Sequence, residues 1–454
     1  MDALALTILL SLGAAIALRP PRQALLAILV GCLFLPPGAG FDIGGLNLFP
    51  ARFLAYVALF RVLTRREFTW SDAIRPDKYL LALYVLITLI PLIRGGEEGP
   101  LGIIARSGDG LFMYFALRGL MRSADDLRWL LGALAWLLIP YVLFLFMEGV
   151  FRLNPFQYLG GEGKLWERGG RLRCFGSFRH PSLMGSFGAC FLPLFAALYF
   201  DPAWRARALL GGTLCVAMVG FSNSGGPISV LAMSLLAWCF WPLRTRMRMI
   251  RRGLVAVVLL LALLMEAPVW YLLARVSSVT GGTGWHRSYL MDVAFRHFGD
   301  WWLVGLPLRE TSDWMPYVLA STGGADITNQ FISFALKGGI WSMLLFVGVI
   351  VSTFSLLGRA LSAVRESEVA DETDERLLWG LGAALTAHVS NWLGLAYFDQ
   401  FQVFWLIQLS AMIAVTQEVL AAHPADDEQN DEDEVLFGRT PVPAPSEGPR
   451  SGVA

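Results

Sequence analysis

The sequence predicts an all-α, polytopic membrane protein with about 12 to 13 transmembrane helices. Of its 454 residues, 56% are hydrophobic and only 16% are charged, and the mean hydropathy is +0.56. Soluble globular proteins contain roughly 25% charged residues. Apolar runs that approach the length of about 20 residues needed to span a bilayer recur along the whole chain. With a net charge of zero, the chain is not expected to bind nucleic acid.

Thirteen apolar runs are separated by charged loops. The first run has no basic residues before it and no small-residue cleavage site after it, so we expect an uncleaved span. The third run contains Arg52, and the fifth contains Arg106 and Asp109, which can pair on one helix face. The predicted spans are 3–18, 23–38, 46–63, 78–93, 101–117, 129–149, 182–200, 206–222, 226–243, 253–273, 328–358, 379–396 and 401–420.

The loops alternate in charge, which predicts the orientation of the chain. Loops after odd-numbered spans are rich in arginine, as in "RTRMRMIRR" (244–252). The short loops 222–226 and 396–400 contain none. The positive-inside rule therefore predicts that the amino terminus is outside and the carboxyl terminus is in the cytoplasm.

Two long loops, 150–181 and 274–327, then face outward within a membrane-embedded unit that covers 1–421. The positive-inside rule does not govern long loops, so their basic residues need another explanation. These residues are Arg152, Lys164, Arg168, Arg171, Arg173, Arg179, Arg275, Arg287, Arg296 and Arg309.

The first long loop ends in a cationic stretch, "RLRCFGSFRHPSLMG" (171–185). Arg173, Arg179 and His180 immediately precede Pro181 and an apolar span. A helix start presents free N–H groups, and arginine adds forked donors, so the stretch suits a phosphate or diphosphate. Contact with lipid headgroups is an equally good explanation for any one of these arginines.

The second long loop contains a predicted amphipathic interfacial helix within 283–307. His286 and Arg287 would lie on its polar face, and the Trp301–Trp302 pair is typical of a membrane boundary. A plain interfacial helix would also explain the pattern.

A polar cluster opens the eleventh span at "GGADITNQFISFALKGGIWSMLLF" (323–346). Asp326, Asn329 and Gln330 precede the apolar run, and Thr328 is a candidate N-cap. Ionisable residues in other spans, Asp109, Glu148, Glu266 and His388, are also candidates for function.

The segment 422–454 differs in composition from the rest of the chain. It begins with the acidic "ADDEQNDEDE" and continues as a Pro/Ser/Gly-rich sequence, which predicts a disordered cytoplasmic tail. The tail could contact polysaccharide-export components. The five cysteines lie mostly inside predicted spans and imply no disulfide framework.

Taken in order, these segments resemble the O-antigen ligase and O-antigen polymerase superfamily of bacterial polytopic membrane glycosyltransferases. "GSFRHPSLMGSFGACFLPL" is similar to the family's Gly-x-Phe-x-x-Pro-Asn segment. "GWHRSYLMDVAFRHFGDWWLVGLP" is similar to its arginine-containing loop helix, and "TNQFISFALKGGIWSMLLF" is similar to its His-Asn-x-Tyr-Leu segment. The resemblance covers roughly residues 170–355.

The resemblance implies a GT-C-like fold, whose two outward loops contain interfacial helices. It also implies inverting transfer of glycans from undecaprenyl diphosphate to an acceptor hydroxyl at the outer face of the bacterial inner membrane. No metal or other cofactor is implied, and the loops contain no Asp-x-Asp motif. The implied donor-binding residues are Arg173, Arg179 and Arg287; the implied catalytic residues are Arg287 with Asp326, His286 or His180; the implied sugar-binding residues are Thr328, Asn329, Gln330, Trp285 and Trp301.

Two departures from the family pattern shape the predicted function. Thr328 stands where the family has histidine, and "SNSGG" (222–226) lacks an arginine often found there. The missing histidine favours a polymerase of an exopolysaccharide or O-antigen over a ligase that uses a lipid A–core acceptor. A transporter of lipid-linked glycans or small solutes, dependent on Asp109 and His388, is the rival class. A scaffold recruited through the acidic tail is a third alternative.

Overall fold

The computed structural model of the chain describes residues 3–95, 99–275, 284–316, 323–367 and 371–423. Within these ranges the chain is mostly helical, so the predicted all-α class is confirmed. The acidic tail lies outside the described residues from position 424 onward. The described cysteines are free, and Cys239 is the exposed one.

Thirteen of the described helices correspond to the thirteen predicted spans, and two further helices lie in the second long loop. Two short antiparallel hairpins pair Phe41 with Leu48 and Glu167 with Leu172. The helices are α1 (Ala3–Leu18), α2 (Pro21–Phe34), α3 (Pro50–Arg65), α4 (Arg75–Arg94), α5 (Pro100–Leu120), α6 (Ala124–Phe151), α7 (Pro181–Leu198), α8 (Arg205–Ser222), α9 (Gly225–Cys239), α10 (Met247–Leu264), α11 (Gly284–Arg296), α12 (Phe298–Trp301), α13 (Gln330–Glu366), α14 (Glu372–Trp392) and α15 (Gln400–Ala422); the strands are β1 (Phe41–Ile43), β2 (Leu46–Leu48), β3 (Glu167–Arg168) and β4 (Arg171–Leu172).

Five helices, α4, α6, α7, α13 and α15, are long and apolar enough to cross a membrane. In α7 and in α15, 83% of the residues in the apolar stretch are buried, so these two helices form the centre of the bundle. The predicted span 253–273 is not one straight helix, because Trp241–Leu264 and Val269–Arg275 meet at 102°. Pro268, which lacks an N–H donor, occupies the break.

The predicted span 328–358 is also interrupted. Within α13, Gly338 (φ −144°, ψ 25°) and Gly339 (φ 69°, ψ −171°) leave the helical conformation. A Cβ atom on Gly339 would lie 2.3 Å from the Leu303 carbonyl oxygen, so this position needs glycine for its backbone angle and for space.

Backbone groups of the second long loop fill the break in α13. The Leu306 N–H donates to the Leu336 carbonyl at 2.8 Å, and the Ile340 N–H donates to the Trp302 carbonyl at 2.8 Å. These bonds satisfy helix groups that would otherwise lack partners at the break. The loop and the helix are therefore joined by their backbones.

The connections between helices gather at two ends of the bundle. At the loop end, the Cys174 N–H donates to the Phe221 carbonyl at 3.0 Å, and Asn223 Nδ2 donates to the Leu172 carbonyl at 2.6 Å. The loop end comprises the described parts of 35–49, 95–99, 152–180, 223–224, 265–329 and 393–399; the opposite end comprises those of 19–20, 66–74, 121–123, 199–204, 240–246 and 367–371. This grouping matches the alternation predicted from the loops, and the side that faces outward stays a prediction.

Several charged residues at the opposite end form ion pairs with one another. Arg118 Nε lies 2.9 Å from Asp77 Oδ1, and both side chains are buried. Further pairs are Arg22–Asp126, Arg61–Glu67, Arg128–Asp374 and Arg244–Glu375.

Asp109 is bound by an arginine from another helix, and its predicted pairing with Arg106 stays a prediction. Asp109 accepts two hydrogen bonds from Arg52, with Nε–Oδ1 at 2.6 Å and Nη2–Oδ2 at 2.8 Å. The forked guanidinium of Arg52, which lies on α3, bonds to both carboxylate oxygens of Asp109. Asp109 is thus a structural contact between α3 and α5.

Candidate anion-binding site at the loop end

The loop after β4 is held rigidly by α6. The buried Glu148 carboxylate accepts from the N–H groups of Phe175 at 3.0 Å and Gly176 at 2.9 Å. Gly176 has a φ of +58°, and a Cβ there would lie 2.5 Å from the Tyr141 hydroxyl oxygen. Glu148, a candidate for function in the sequence, therefore fixes the backbone that carries Arg173.

Arg173 is a buried cation without a carboxylate partner among the described residues. Its side chain is 7% exposed, and it donates to Ser224 Oγ and, at 3.4 Å, to Ser182 Oγ. Its Nε is buried and has no hydrogen-bond acceptor within the described ranges. Burial lowers the pKa of Arg173, and the charge of Arg168 lowers it further.

Arg287 reaches the same place from α11. Its guanidinium lies against two glycines: a Cβ atom on Gly226 would be 2.9 Å from Nη2, and one on Gly394 would be 2.8 Å from Nε. The side chain is half-buried and makes no hydrogen bond or ion pair with any residue that the structure describes. Burial lowers the pKa of Arg287, and Arg168 is the next contributor.

The turn 222–226 brings these features together. Ser224 contacts Arg173, and Gly226 contacts Arg287. Ser224 also begins α9, and its side chain makes no capping bond to the first N–H groups of that helix. We call Arg168, Arg173, Arg287 and this turn the cationic cluster. Guanidinium groups and a helix amino terminus in one partly buried place favour an anion.

His180 caps α7 beside this cluster. Its Nδ1 accepts from the Ser182 N–H at 3.1 Å, which assigns the proton of the neutral ring to Nε2. Burial lowers the pKa of His180 to about 4, and the charges of Arg173 and Arg168 contribute to the shift. The ring therefore lacks a free lone pair for the predicted role as a base, and its visible role is helix capping.

Arg179 differs from the other predicted donor-binding arginines because it has a carboxylate partner. Its Nε lies 2.8 Å from Asp399 Oδ2, and the side chain is 56% exposed. Burial raises the pKa of Asp399, whereas Arg179 and Arg106 act in the opposite direction. The structure thus separates Arg179 from the unpaired cations, and its predicted diphosphate role stays a prediction.

The structure brings two predicted catalytic residues close together. His286 Nε2 lies 3.9 Å from Asp326 Oδ2, which is too long for a direct hydrogen bond. His286 Nε2 and the nearby Thr328 Oγ1 are both buried and have no hydrogen-bond partner among the described residues.

The predicted N-cap at Thr328 is wrong by one residue. Asn329 caps α13, since its Oδ1 accepts from the Ile332 N–H at 3.1 Å. Asn329 Nδ2 donates to the Leu393 carbonyl at 3.3 Å, and Gln330 Oε1 accepts from the Tyr397 N–H at 2.6 Å. These contacts hold the start of α13 against the connection that contains Gly394. Sugar binding by Thr328, Asn329 and Gln330 stays a prediction.

The two predicted sugar-binding tryptophans differ in exposure. Trp285 is 54% exposed and stacks on Tyr289 with a centroid distance of 5.2 Å. Trp301 is 4% exposed, and its Nε1 donates to the Ala294 carbonyl at 2.8 Å. Of the two, Trp285 therefore offers the accessible ring face.

A second polar group is buried within the bundle. His388 Nδ1 lies 2.8 Å from the Tyr397 hydroxyl, and Asn391 links that hydroxyl to Ser186. His388 Nε2 and the Gln408 amide have no hydrogen-bond partner within the described ranges. No group of three or more His, Cys, Asp or Glu side chains in the described part of the chain is arranged to hold a metal ion.

Sequence reasoning missed several residues that shape the cationic cluster. Ser182, Ser224, Gly226 and Gly394 contact the arginines but carry no charge pattern of their own. The Gly-Gly pair at the start of α9 was the available signal, because close approach to a bulky side chain favours glycine. Comparison with known proteins found no matching family model and no matching curated protein.

Proposed function

We propose that this protein is a membrane glycosyltransferase that moves a glycan from a polyprenyl diphosphate carrier to an acceptor hydroxyl. A polymerase of an exopolysaccharide or O-antigen is the favoured form. One observation carries the proposal: Arg173 and Arg287 converge on the turn 222–226, partly buried and without carboxylate partners among the described residues.

Partly buried cations without counter-ions destabilise a protein because they lose hydration without a compensating charge. A bound anion supplies that compensation. Guanidinium forks and free helix N–H groups match phosphate oxygens in geometry, and two adjacent phosphates could contact both arginines.

The same groups would assist the reaction. The acceptor oxygen attacks the anomeric carbon while the bond from that carbon to the diphosphate oxygen breaks, and the electron pair leaves on the diphosphate. Cations placed where this charge develops lower the barrier, and removing one donor of this kind typically slows the reaction by about 10²- to 10³-fold.

The polymerase form is preferred to the ligase form because of one residue. Thr328 stands at the position where the resemblance to the ligase family would require histidine. Ligation to a lipid A–core acceptor is the alternative within the same class. The outer face of the bacterial inner membrane, with the amino terminus outside, is part of this proposal.

A transporter is the second candidate, and the buried group around His388 is the observation that favours it. Polar side chains with unpartnered atoms inside a bundle are a feature of solute pathways. A transporter would lose function in His388→Leu and would tolerate Arg287→Ala. The glycosyltransferase proposal expects the reverse.

The test replaces Arg287 by Ala in the native host and analyses lipid-linked glycans by mass spectrometry and polymer by gel electrophoresis. Arg296→Ala is the matched control, because Arg296 is on the same helix, is 67% exposed and pairs with Asp292 at 2.5 Å. We expect single repeat units to accumulate without polymer in Arg287→Ala, and a normal profile in the control.

Other outcomes are equally informative. Full-length polymer that remains on its lipid carrier would identify a ligase. A normal glycan profile, with the Arg287→Ala protein present in the membrane, would overturn the role of Arg287 and favour the transporter.

A further inference from the structure

We infer that His286 and Asp326 together receive the proton of the acceptor hydroxyl, an assignment that rests on the proposed glycosyl transfer. The two side chains come from different segments of the second long loop. They approach each other at the start of α11, where His286 directly precedes Arg287 in the chain.

The spacing of the pair suits a single bound hydroxyl. His286 Nε2 and Asp326 Oδ2 are 3.9 Å apart, too far for a direct bond but close enough for one oxygen to lie within hydrogen-bond distance of both. His286 Nε2 is buried and has no partner among the described residues. A buried polar nitrogen of this kind needs a partner from a ligand or a water.

The backbone beside each of the two residues is held by buried neighbours. On α11, Ser288 is buried and its Oγ donates to the Trp270 carbonyl at 2.9 Å. Beside Asp326, Ala325 is fully buried and its N–H donates to Thr311 Oγ1 at 2.9 Å. A base held on fixed backbone keeps its geometry when substrate binds.

Thr328, two residues after Asp326, has a further buried polar atom. Its N–H donates to the Asp326 carbonyl at 3.1 Å, and its Oγ1 is buried without a partner within the described ranges. Thr328 is therefore a positioning residue, able to donate to or accept from a second substrate hydroxyl.

The other histidines of the chain are less suited to this role. His180 uses Nδ1 to cap α7, and His297 is 43% exposed and bonded to Asp300. His388 is buried in the bundle, and His423 follows α15 at the opposite end.

The proton balance of the step is simple. The acceptor O–H proton moves to His286 Nε2 as the new glycosidic C–O bond forms and the bond to the diphosphate breaks. The Asp326 carboxylate stabilises the imidazolium, which then releases the proton to solvent. No oxidant, reductant or further reactant is required.

The experiment uses the full-length protein in lipid nanodiscs, with lipid-linked repeat units extracted from the native host as substrate. Binding of undecaprenyl diphosphate and formation of polymer are measured separately. We expect His286→Ala to bind the carrier like the wild type and to lose polymer formation by about 10²- to 10⁴-fold. Imidazole added to the medium should restore part of this activity, since a small base can occupy the space left by the side chain.

Matched variants separate a chemical role from a structural one. Asp326→Asn should also lose activity without rescue by imidazole, whereas His297→Ala should behave like the wild type. His286→Gln is the second variant if His286→Ala does not insert into the membrane, and we expect it to bind the carrier and form little polymer.

Two kinds of failure are distinguishable. Normal polymer formation by His286→Ala, or a loss that imidazole does not restore, would overturn the assignment of His286 while carrier binding preserves the glycosyltransferase proposal. Failure of the wild-type protein to bind undecaprenyl diphosphate would overturn both.

Discussion

The two ends of the helix bundle differ in how their buried arginines are neutralised. At the opposite end, Arg61 and Arg118 each lie within 2.9 Å of a carboxylate oxygen and are buried. At the loop end, Arg173 is equally buried, and neither it nor Arg287 has a carboxylate partner among the described residues. Charges that stabilise the fold are neutralised within the chain, and charges that remain unpaired are available to a ligand.

The difference is local and does not belong to the loop end as a whole. Arg52 and Arg179 lie near the same end, and each has an aspartate partner at 2.8 Å or less. Some arginines near the loop end are therefore neutralised within the chain as well. The cationic cluster differs because serine hydroxyls and glycines surround it in place of carboxylates.

The largest effect is expected from breaking a pair at the opposite end. In Arg118→Ala, the fully buried Asp77 carboxylate would lose its cation and keep the neutral hydrogen bonds from the Tyr114 hydroxyl and the Ile74 N–H. Leaving one member of a buried pair uncompensated typically costs about 3 to 5 kcal/mol. Thermal unfolding of the detergent-solubilised protein measures the loss. If the melting temperature equals that of the wild type, the ion pairs of the opposite end do not stabilise the fold, and the contrast with the loop end fails.

A smaller effect is expected when pyrophosphate is added as a soluble probe of the cationic cluster. At about 100 times its dissociation constant, a ligand that binds only the folded state adds about 2.7 kcal/mol to the free energy of unfolding. We expect this stabilisation in the wild type and its loss in Arg173→Gln. Without ligand, the free energy of unfolding of the variant should fall by at most about 1 kcal/mol. The loss is small because the substitution removes a buried cation that has no carboxylate partner among the described residues. Equal stabilisation of both proteins would show that the anion binds elsewhere.

Acidification tests the cluster through His180. The ring ionises near pH 6.5 in the unfolded chain, whereas burial and Arg173 lower its pKa to about 4 in the folded protein. Between these values the unfolded chain binds more protons, so the free energy of unfolding falls as the pH drops from about 6.5 towards 4. We expect a loss on the order of 2 kcal/mol, less than the full shift implies because the ring is partly exposed.

The matched variant for this measurement is His180→Asn. Asparagine is a good N-cap but does not titrate, so α7 keeps its cap while the proton-linked loss disappears. Thermal unfolding at pH 7 and pH 4.5 gives the comparison. The same pH-dependent loss in both proteins would mean that other groups are responsible for it.

The smallest effect is expected from an exposed pair at the loop end. Arg296→Ala removes an ion pair with Asp292 on the surface of α11, where Arg296 is 67% exposed. Exposed pairs spaced four residues apart on a helix contribute less than about 0.5 kcal/mol. Thermal unfolding should therefore place this variant within error of the wild type. A loss comparable to that of Arg118→Ala would contradict the ranking.

Local patterns in the sequence were sufficient to predict most of the helices. Apolar runs such as 3–18 and 401–420 coincide closely with α1 and α15. The break in α13 was not predicted, because it depends on the fit of a distant loop segment into the helix. The Gly338–Gly339 pair was the local sign, but it lies within a longer, mostly apolar run.

The candidate site was predictable in its residue types but not in its pairings. The sequence placed Arg173, Arg179 and His180 together because they are close along the chain. The structure pairs Arg179 with Asp399 and brings Arg287 to Gly394, contacts between segments that are far apart in sequence. Non-local partners of this kind leave no periodic signal, so spacing alone could not separate the unpaired arginines from the paired one.

The break in α13 has a consequence for the modularity of the protein. The second long loop donates and accepts backbone hydrogen bonds inside the helix that follows it, and Gly339 can be replaced by no other residue without displacing the Leu303 carbonyl. A chimera that received this loop from another protein would fit only if it also received the first half of α13. Recombination would therefore exchange the loop and the half-helix as one unit, and the residues proposed to bind the acceptor would be inherited together with the helix start that supports them.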